Sequence, residues 1–261
     1  MNFPLKIETT ARLLQRDHER DHESGNMLFM ILIAVVLVGL LTAAIMSTGD
    51  SENSGIDKET LVIRASEVQR AASEFERAVL FIVSNSKSEA DIRFAHPAAD
   101  PDYGDLAADT DPTDQVFHPK GGGAAYREPP DEVNDGSKWE FFAGTAIPGA
   151  GSARTDLIAV LPNVTLQFCN KVNELSGQPV TAVPEDTGGG AASGSNPGDC
   201  LFIGDDGRFD DAQQFYSTAN TVDETSFAQD TNTAAARTAL QACVRCDIGP
   251  AYHFYHVLLA R

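Results

Sequence analysis

From Met27 to Met46 the chain reads MLFMILIAVVLVGLLTAAIM, broken only by Gly39 and Thr42, inside a charge-free stretch bounded by Glu23 and Asp50. Twenty residues rising about 1.5 Å each make a helix of about 30 Å, the thickness of a hydrocarbon core. No polar stripe marks the half-wet face that a surface helix of a soluble protein carries. The pattern predicts a transmembrane helix over residues 26–46, followed by a polar breaker over 47–55 that is rich in Gly, Ser, Asn and Asp. The period then changes. Leu61, Ala65, Val68, Ala72, Phe75, Val79 and Ile82 alternate four- and three-residue spacings, one unbroken packing seam along an amphipathic helix over residues 56–83. Its other face carries Arg64, Glu67, Arg70, Glu74 and Arg77 at offsets where opposite charges support one another.

Beyond Ser84 the pattern breaks into short segments. Residues 97–114 hold six aspartates and three prolines with few apolar residues, which predicts a surface loop. Residues 115–119 and 120–126 read as two strands about a glycine turn, and 138–142 as another strand with Trp139 and Phe141 on one side. Residues 156–162 begin as a strand and pass, beyond Pro162, into a helix on which Val164, Phe168, Val172 and Leu175 align, capped by Gly177. Residues 188–198 are low-complexity loop, 228–243 an alanine-rich short helix, and 251–259 a final strand.

Charge orients the chain. Lys6, Arg12, Arg16 and Arg20 precede the apolar run, while Asp50, Glu52 and Asp57 follow it, so the N-terminus is expected in the cytoplasm and the domain over 84–261 on the far side of the membrane. A cleaved secretory signal is the competing reading, but the run is about twice a usual signal core and Met46-Ser47-Thr48-Gly49 is a poor cleavage site. The formal net charge is −19: residues 1–25 hold four Lys/Arg against five Asp/Glu, leaving 15 against 33 for the rest. Nucleic acid is therefore excluded as a partner, since phosphate binding needs a cationic surface. The four cysteines, Cys169, Cys200, Cys243 and Cys246, fall on the oxidising side, where two disulfides are expected in any of three connectivities.

A charged leader ending in Glu23-Ser24-Gly25, an apolar helix starting at once behind it, and a heptad-patterned continuation resemble the type IV pilin and type II secretion pseudopilin superfamily. The resemblance implies cleavage by a prepilin peptidase between Gly25 and Asn26, packing of the freed helices with other pilin or pseudopilin subunits, and a single-pass membrane precursor. Filament-forming members carry Glu at the fifth mature residue and an aromatic residue at the first. Here these are Met30 and Asn26, which turns the resemblance toward a minor component. The expected fold is α+β: a long N-terminal helix, half transmembrane and half amphipathic, packed on a C-terminal domain with antiparallel strands. The alternative is a membrane-tethered periplasmic binding module that is never processed.

Candidate chemistry is sparse. Cys243-Val244-Arg245-Cys246 has the spacing of a metal or redox pair, with Cys169, Cys200, His253 or His256 as further zinc ligands, against the simpler reading as disulfide partners. His253 and His256, three apart on a strand, face opposite ways and cannot chelate one ion together. Asp205, Asp206 and Asp210 are weak calcium candidates, because they lack the alternating spacing and the bidentate Glu of a calcium loop. Lys120 precedes its glycines, so no phosphate loop is formed, and no nucleophile elbow or zinc-protease pair occurs. A structural role without enzymatic activity or cofactor is the expectation.

Overall fold

The computed structural model describes residues 29–39, 58–180, 182–186, 208–209, 220–221, 227, 239–246 and 251–261. The chain divides into two units, residues 1–54 and 55–261. In the first, residues 29–39 form a helix, α1, and all of them are exposed. Met30 and Val35 show 65% and 66% of their surface. Among the described residues no helix is long and apolar enough to cross a membrane. The leader, the Gly25–Asn26 bond, the rest of the candidate span and the breaker lie outside the described residues.

The second unit begins with α2, Lys58–Ser84. Leu61, Ala65, Val68, Ala72, Phe75, Val79 and Ile82 are all buried, and Ala71 and Ala78 widen the stripe on one side. The helix stops where Asn85 donates its amide to the Phe81 and Ile82 carbonyls and Ser86 turns left-handed at φ 66.

The sheet has the order β3-β5-β6-β2-β1-β4. Its long strands are β1 (Glu140–Ala146), β2 (Asp156–Leu161), β5 (Gln241–Cys246) and β6 (Tyr252–Leu259), each antiparallel to its neighbours among these four. The two-residue edges are parallel: β3 (Glu185–Asp186) on β5 and β4 (Asn220–Thr221) on β1. The sheet is thus mixed rather than wholly antiparallel. β2 is buried along its whole length, which is why its sequence is a continuous apolar run instead of an alternation.

Helices α2 and α3 (Leu166–Ser176) pack on one face of the sheet, against β6 and β5. β6 shows the division: Phe254 and Leu258 join the helix-side core, while Tyr255 and Val257 join a second core on the far face with Phe142, Ile158 and Val244. Phe75 sits at the centre of the first. Its ring lies 5.2 Å from Phe117, 5.4 Å from Trp139 and 6.1 Å from Phe141, each edge-on, the geometry aromatic quadrupoles prefer.

Two expectations are corrected. Residues 115–126 form no strand pair; they are a train of turns whose one sheet-like contact is a bridge from Gln115 to Arg93. The glycines there serve close approach: a Cβ on Gly122 would lie 2.6 Å from Ala78 Cβ, and one on Gly121 2.2 Å from the Gln115 carbonyl. The alanine-rich helix does not reach Cys243, because Gln241–Cys246 is β5 and pairs along β6; tertiary pairing overrides a weak local propensity. Residues 228–238 lie outside the described residues, as do 188–198. The aspartate loop lies at the surface as expected and is anchored by Tyr103, which is fully buried. Asp100, Asp105, Asp109 and Asp111 each accept the amide two residues on, so the acidic composition is largely turn chemistry.

Helix α3 starts at Thr165, whose hydroxyl caps the Phe168 amide, and ends at Gly177, left-handed at φ 70. Of its predicted apolar stripe, Val164, Phe168 and Val172 are buried and Leu175 is exposed. The helix grips β5 at one residue in two ways. Cys169 is disulfide-bonded to Cys243, with Cα atoms 5.2 Å apart. One turn on, the buried Asn173 amide donates to the Cys243 carbonyl at 3.0 Å and accepts its N–H at 2.8 Å. Asn173 thereby stands in for a neighbouring strand where β3 does not reach. Asn173→Leu strands both backbone groups and is expected to cost roughly 2–4 kcal/mol, read as a lowered midpoint in urea.

Candidate functional site

The seam faces inward, so the outer face of α2 is what the helix presents. Ile63, Glu67, Arg70, Glu74, Arg77 and Phe81 recur there at four- and three-residue spacings, a second stripe in the same register. Beside it runs the 122–130 segment. Glu74 holds that segment by accepting the Ala125 amide at 3.0 Å, and lies 3.9 Å from Arg127. From below, the buried Trp139 donates its indole N–H to the Arg127 carbonyl at 3.1 Å. Between helix and segment lie two adjoining depressions of about 330 and 480 Å³, both bounded by Arg70 and Arg127. Arg64 completes the first and Arg77 the second.

Four guanidinium groups thus converge on one groove in a strongly acidic chain. Arg64 is paired with Glu67 at 3.1 Å. Arg77 turns its Nε to the Ser73 carbonyl at 3.2 Å. Among the described residues, no carboxylate comes within ion-pair distance of Arg70 or Arg77. The sequence displayed these charges only as a solvated helix face; what it concealed was the facing wall, because the turns of 115–126 resemble strands.

A second cluster neutralises part of the aspartate loop. Arg208 Nε and a terminal nitrogen donate to Glu140 Oε2 at 2.9 and 2.6 Å, and the other terminal nitrogen reaches Asp102 at 2.5 Å. Its guanidinium lies over the Tyr103 ring, and the Tyr103 hydroxyl donates to Glu140 while accepting the Phe141 amide. Burial raises the Glu140 carboxyl above its ordinary range despite the opposing pull of Arg208. Every member is satisfied, which fits a clamp holding the loop to β1.

The cysteine pair on β5 does not form one site. Cys243 belongs to the helix-side core and is consumed by Cys169, whereas Cys246 faces the far core and is itself disulfide-bonded. Two sulfurs on opposite faces of a strand cannot close on one metal. Cys200 and the calcium candidates Asp205, Asp206 and Asp210 lie outside the described residues. Among the described residues no group of three His, Cys, Asp or Glu is placed to hold a metal ion.

The two histidines of β6 do face opposite ways. His256 reaches across to α2 and bonds Glu76 at 2.8 Å. His253 accepts the Asn163 amide on Nδ1 at 3.3 Å, while its Nε2 is buried with no hydrogen-bond partner among the described residues. Burial pushes the His253 pKa down to about 4, with Asp135 pulling weakly the other way. The unfolded chain therefore binds this proton first: stability is complete above about pH 6.5 and is lost as pH falls from there toward 4, by roughly 3 kcal/mol. His253→Gln keeps the acceptor for Asn163 and is expected to flatten that part of the stability-against-pH curve, measured by denaturant titration at successive pH values.

Comparison with known proteins returns no match: no family model, no curated protein and no solved structure is significantly similar to this chain.

Proposed function

We propose that this chain is a prepilin-like assembly subunit of a bacterial pilus or secretion pseudopilus, anchored in the inner membrane by a single span and released from its leader by a prepilin peptidase after Gly25. The observation that carries the reading is the apolar run behind Gly25, whose described part is helical with every residue exposed. Apolar surface of that extent needs lipid or other helices around it. In the bilayer, packing against neighbouring spans replaces lipid by protein while each backbone group stays bonded within its own helix. The domain over 84–261, with α2 laid on its sheet, is then the part carried into the periplasm, and the role is structural rather than enzymatic.

The groove beside α2 favours a second reading, a tethered binding module that keeps its leader. Processing separates the two. In a host expressing the peptidase, Gly25→Leu is expected to block leader removal, because the enzyme admits only a small residue before the scissile bond. Cleavage of that variant at the normal rate would count heavily against the prepilin reading.

A further inference from the structure

We propose that the arginine groove beside α2 receives the aspartate loop of a second copy of this chain, a head-to-tail contact with Arg70 and Arg77 opposite Asp105. The inference rests on the assembly reading and names the partner surface for it.

On the groove side, Arg70 and Arg77 are exposed and sit two turns apart, about 10 Å along the helix axis. Arg64 and Arg127 are engaged by Glu67 and Glu74, and the one rim carboxylate with no partner among the described residues is Glu128. Arg70 and Arg77, with no carboxylate at ion-pair distance among the described residues, therefore leave an unmatched positive charge beside the stripe. Ile63 and Phe81 end that stripe with 58% and 52% of their surface exposed, apolar contacts that flank the charges.

On the loop side three of the six aspartates already have cations. Arg208 holds Asp102, with Asp100 at 3.9 Å, and Lys87 holds Asp111 at 2.7 Å. Of the other three, Asp109 accepts the Gln115 side-chain amide and Asp114 is half-buried, whereas Asp105 is exposed, its carboxylate accepts only the Ala107 amide, and no cation lies within ion-pair distance of it among the described residues. The turns that fix the loop also present Asp105 in one geometry, which lowers the ordering cost of a contact.

The two surfaces do not satisfy each other within one molecule. The Lys87–Asp111 pair ties the loop to the C-terminal end of α2, whereas Arg70 and Arg77 lie roughly 10–25 Å back along the helix. A contact between different patches of identical chains is heterologous, and unless its rotation closes a ring it leaves a free patch at each end for the next copy.

The test uses the full chain in detergent micelles, with half the copies carrying ¹⁵N and the Arg70→Lys substitution. A carbodiimide joins an amine to a carboxylate that it touches, with loss of water. The expected product is a crosslinked peptide pair joining residue 70 of the labelled copy to residue 105 of the unlabelled one. Arg70→Glu/Arg77→Glu is expected to weaken self-association at least about tenfold by sedimentation velocity with an unchanged near-ultraviolet circular dichroism spectrum, and mixing it with Asp105→Arg to restore association. Crosslinks mapping elsewhere, or association indifferent to the charge reversal, would overturn the proposal. The N-terminus of the same preparation is read separately: a chain starting at Asn26 without the crosslink refutes the groove contact alone, and the crosslink on a chain retaining its leader refutes the prepilin reading alone.

Discussion

Phe75→Ala is expected to destabilise the folded domain by about 3–5 kcal/mol, because it removes a fully buried ring from the middle of an aromatic cluster that cannot collapse around the void. For a domain of this size that is a fall in melting temperature of roughly 6–20 °C. The effect is expected in the monomer. Seven seam positions in one register suit either the chain's own sheet or a neighbouring subunit, and burial of all seven within the domain assigns them to the fold. A variant that melts normally but no longer assembles would mean that the seam serves neighbours instead.

The second large effect is expected from Cys169→Ala/Cys243→Ala. The bond closes a loop with a sequence separation of 74, for which constraint of the unfolded chain is worth roughly 4 kcal/mol. Asn173 remains to hold the Cys243 backbone, so α3 is expected to stay docked while the domain as a whole melts earlier. Guanidinium titration of the double variant against the oxidised protein measures the difference. Equal midpoints would show that the disulfide adds nothing beyond the hydrogen bonds beside it.

The helices were the most legible part of this chain. α2 and α3 each announce themselves by an apolar period close to 3.6, and α3 also by the Gly177 cap, signals that lie within a few residues of one another. β2 and β6 were legible for the same reason, since their apolar and β-branched runs are bounded by proline or glycine. What misled was local composition serving a distant purpose. Gly121 and Gly122 looked like a hairpin turn, yet they are glycine because the Gln115 carbonyl and Ala78 leave no room for a side chain. The alanines before Cys243 suggested helix, and only pairing with β6, invisible in a local window, makes the end of that segment a strand.

The candidate site was legible by halves. Arg64, Arg70 and Arg77 stood out as the charged face of α2, but Arg127 reaches the same groove through a segment whose course depends on Glu74 and on the Trp139 indole. Asn173 carried a weak signal, a polar residue four positions after Cys169 and beside the apolar Val172. Its partner at Cys243 follows 70 residues later and needs the fold to be found.

The central claim, a prepilin-like subunit released from its leader, is tested most directly by the intact mass of the full chain purified from membranes of a host that expresses a prepilin peptidase. The account predicts a mature chain beginning at Asn26, recovered in the membrane fraction. A chain of full mass, still carrying Met1 to Gly25, would contradict it.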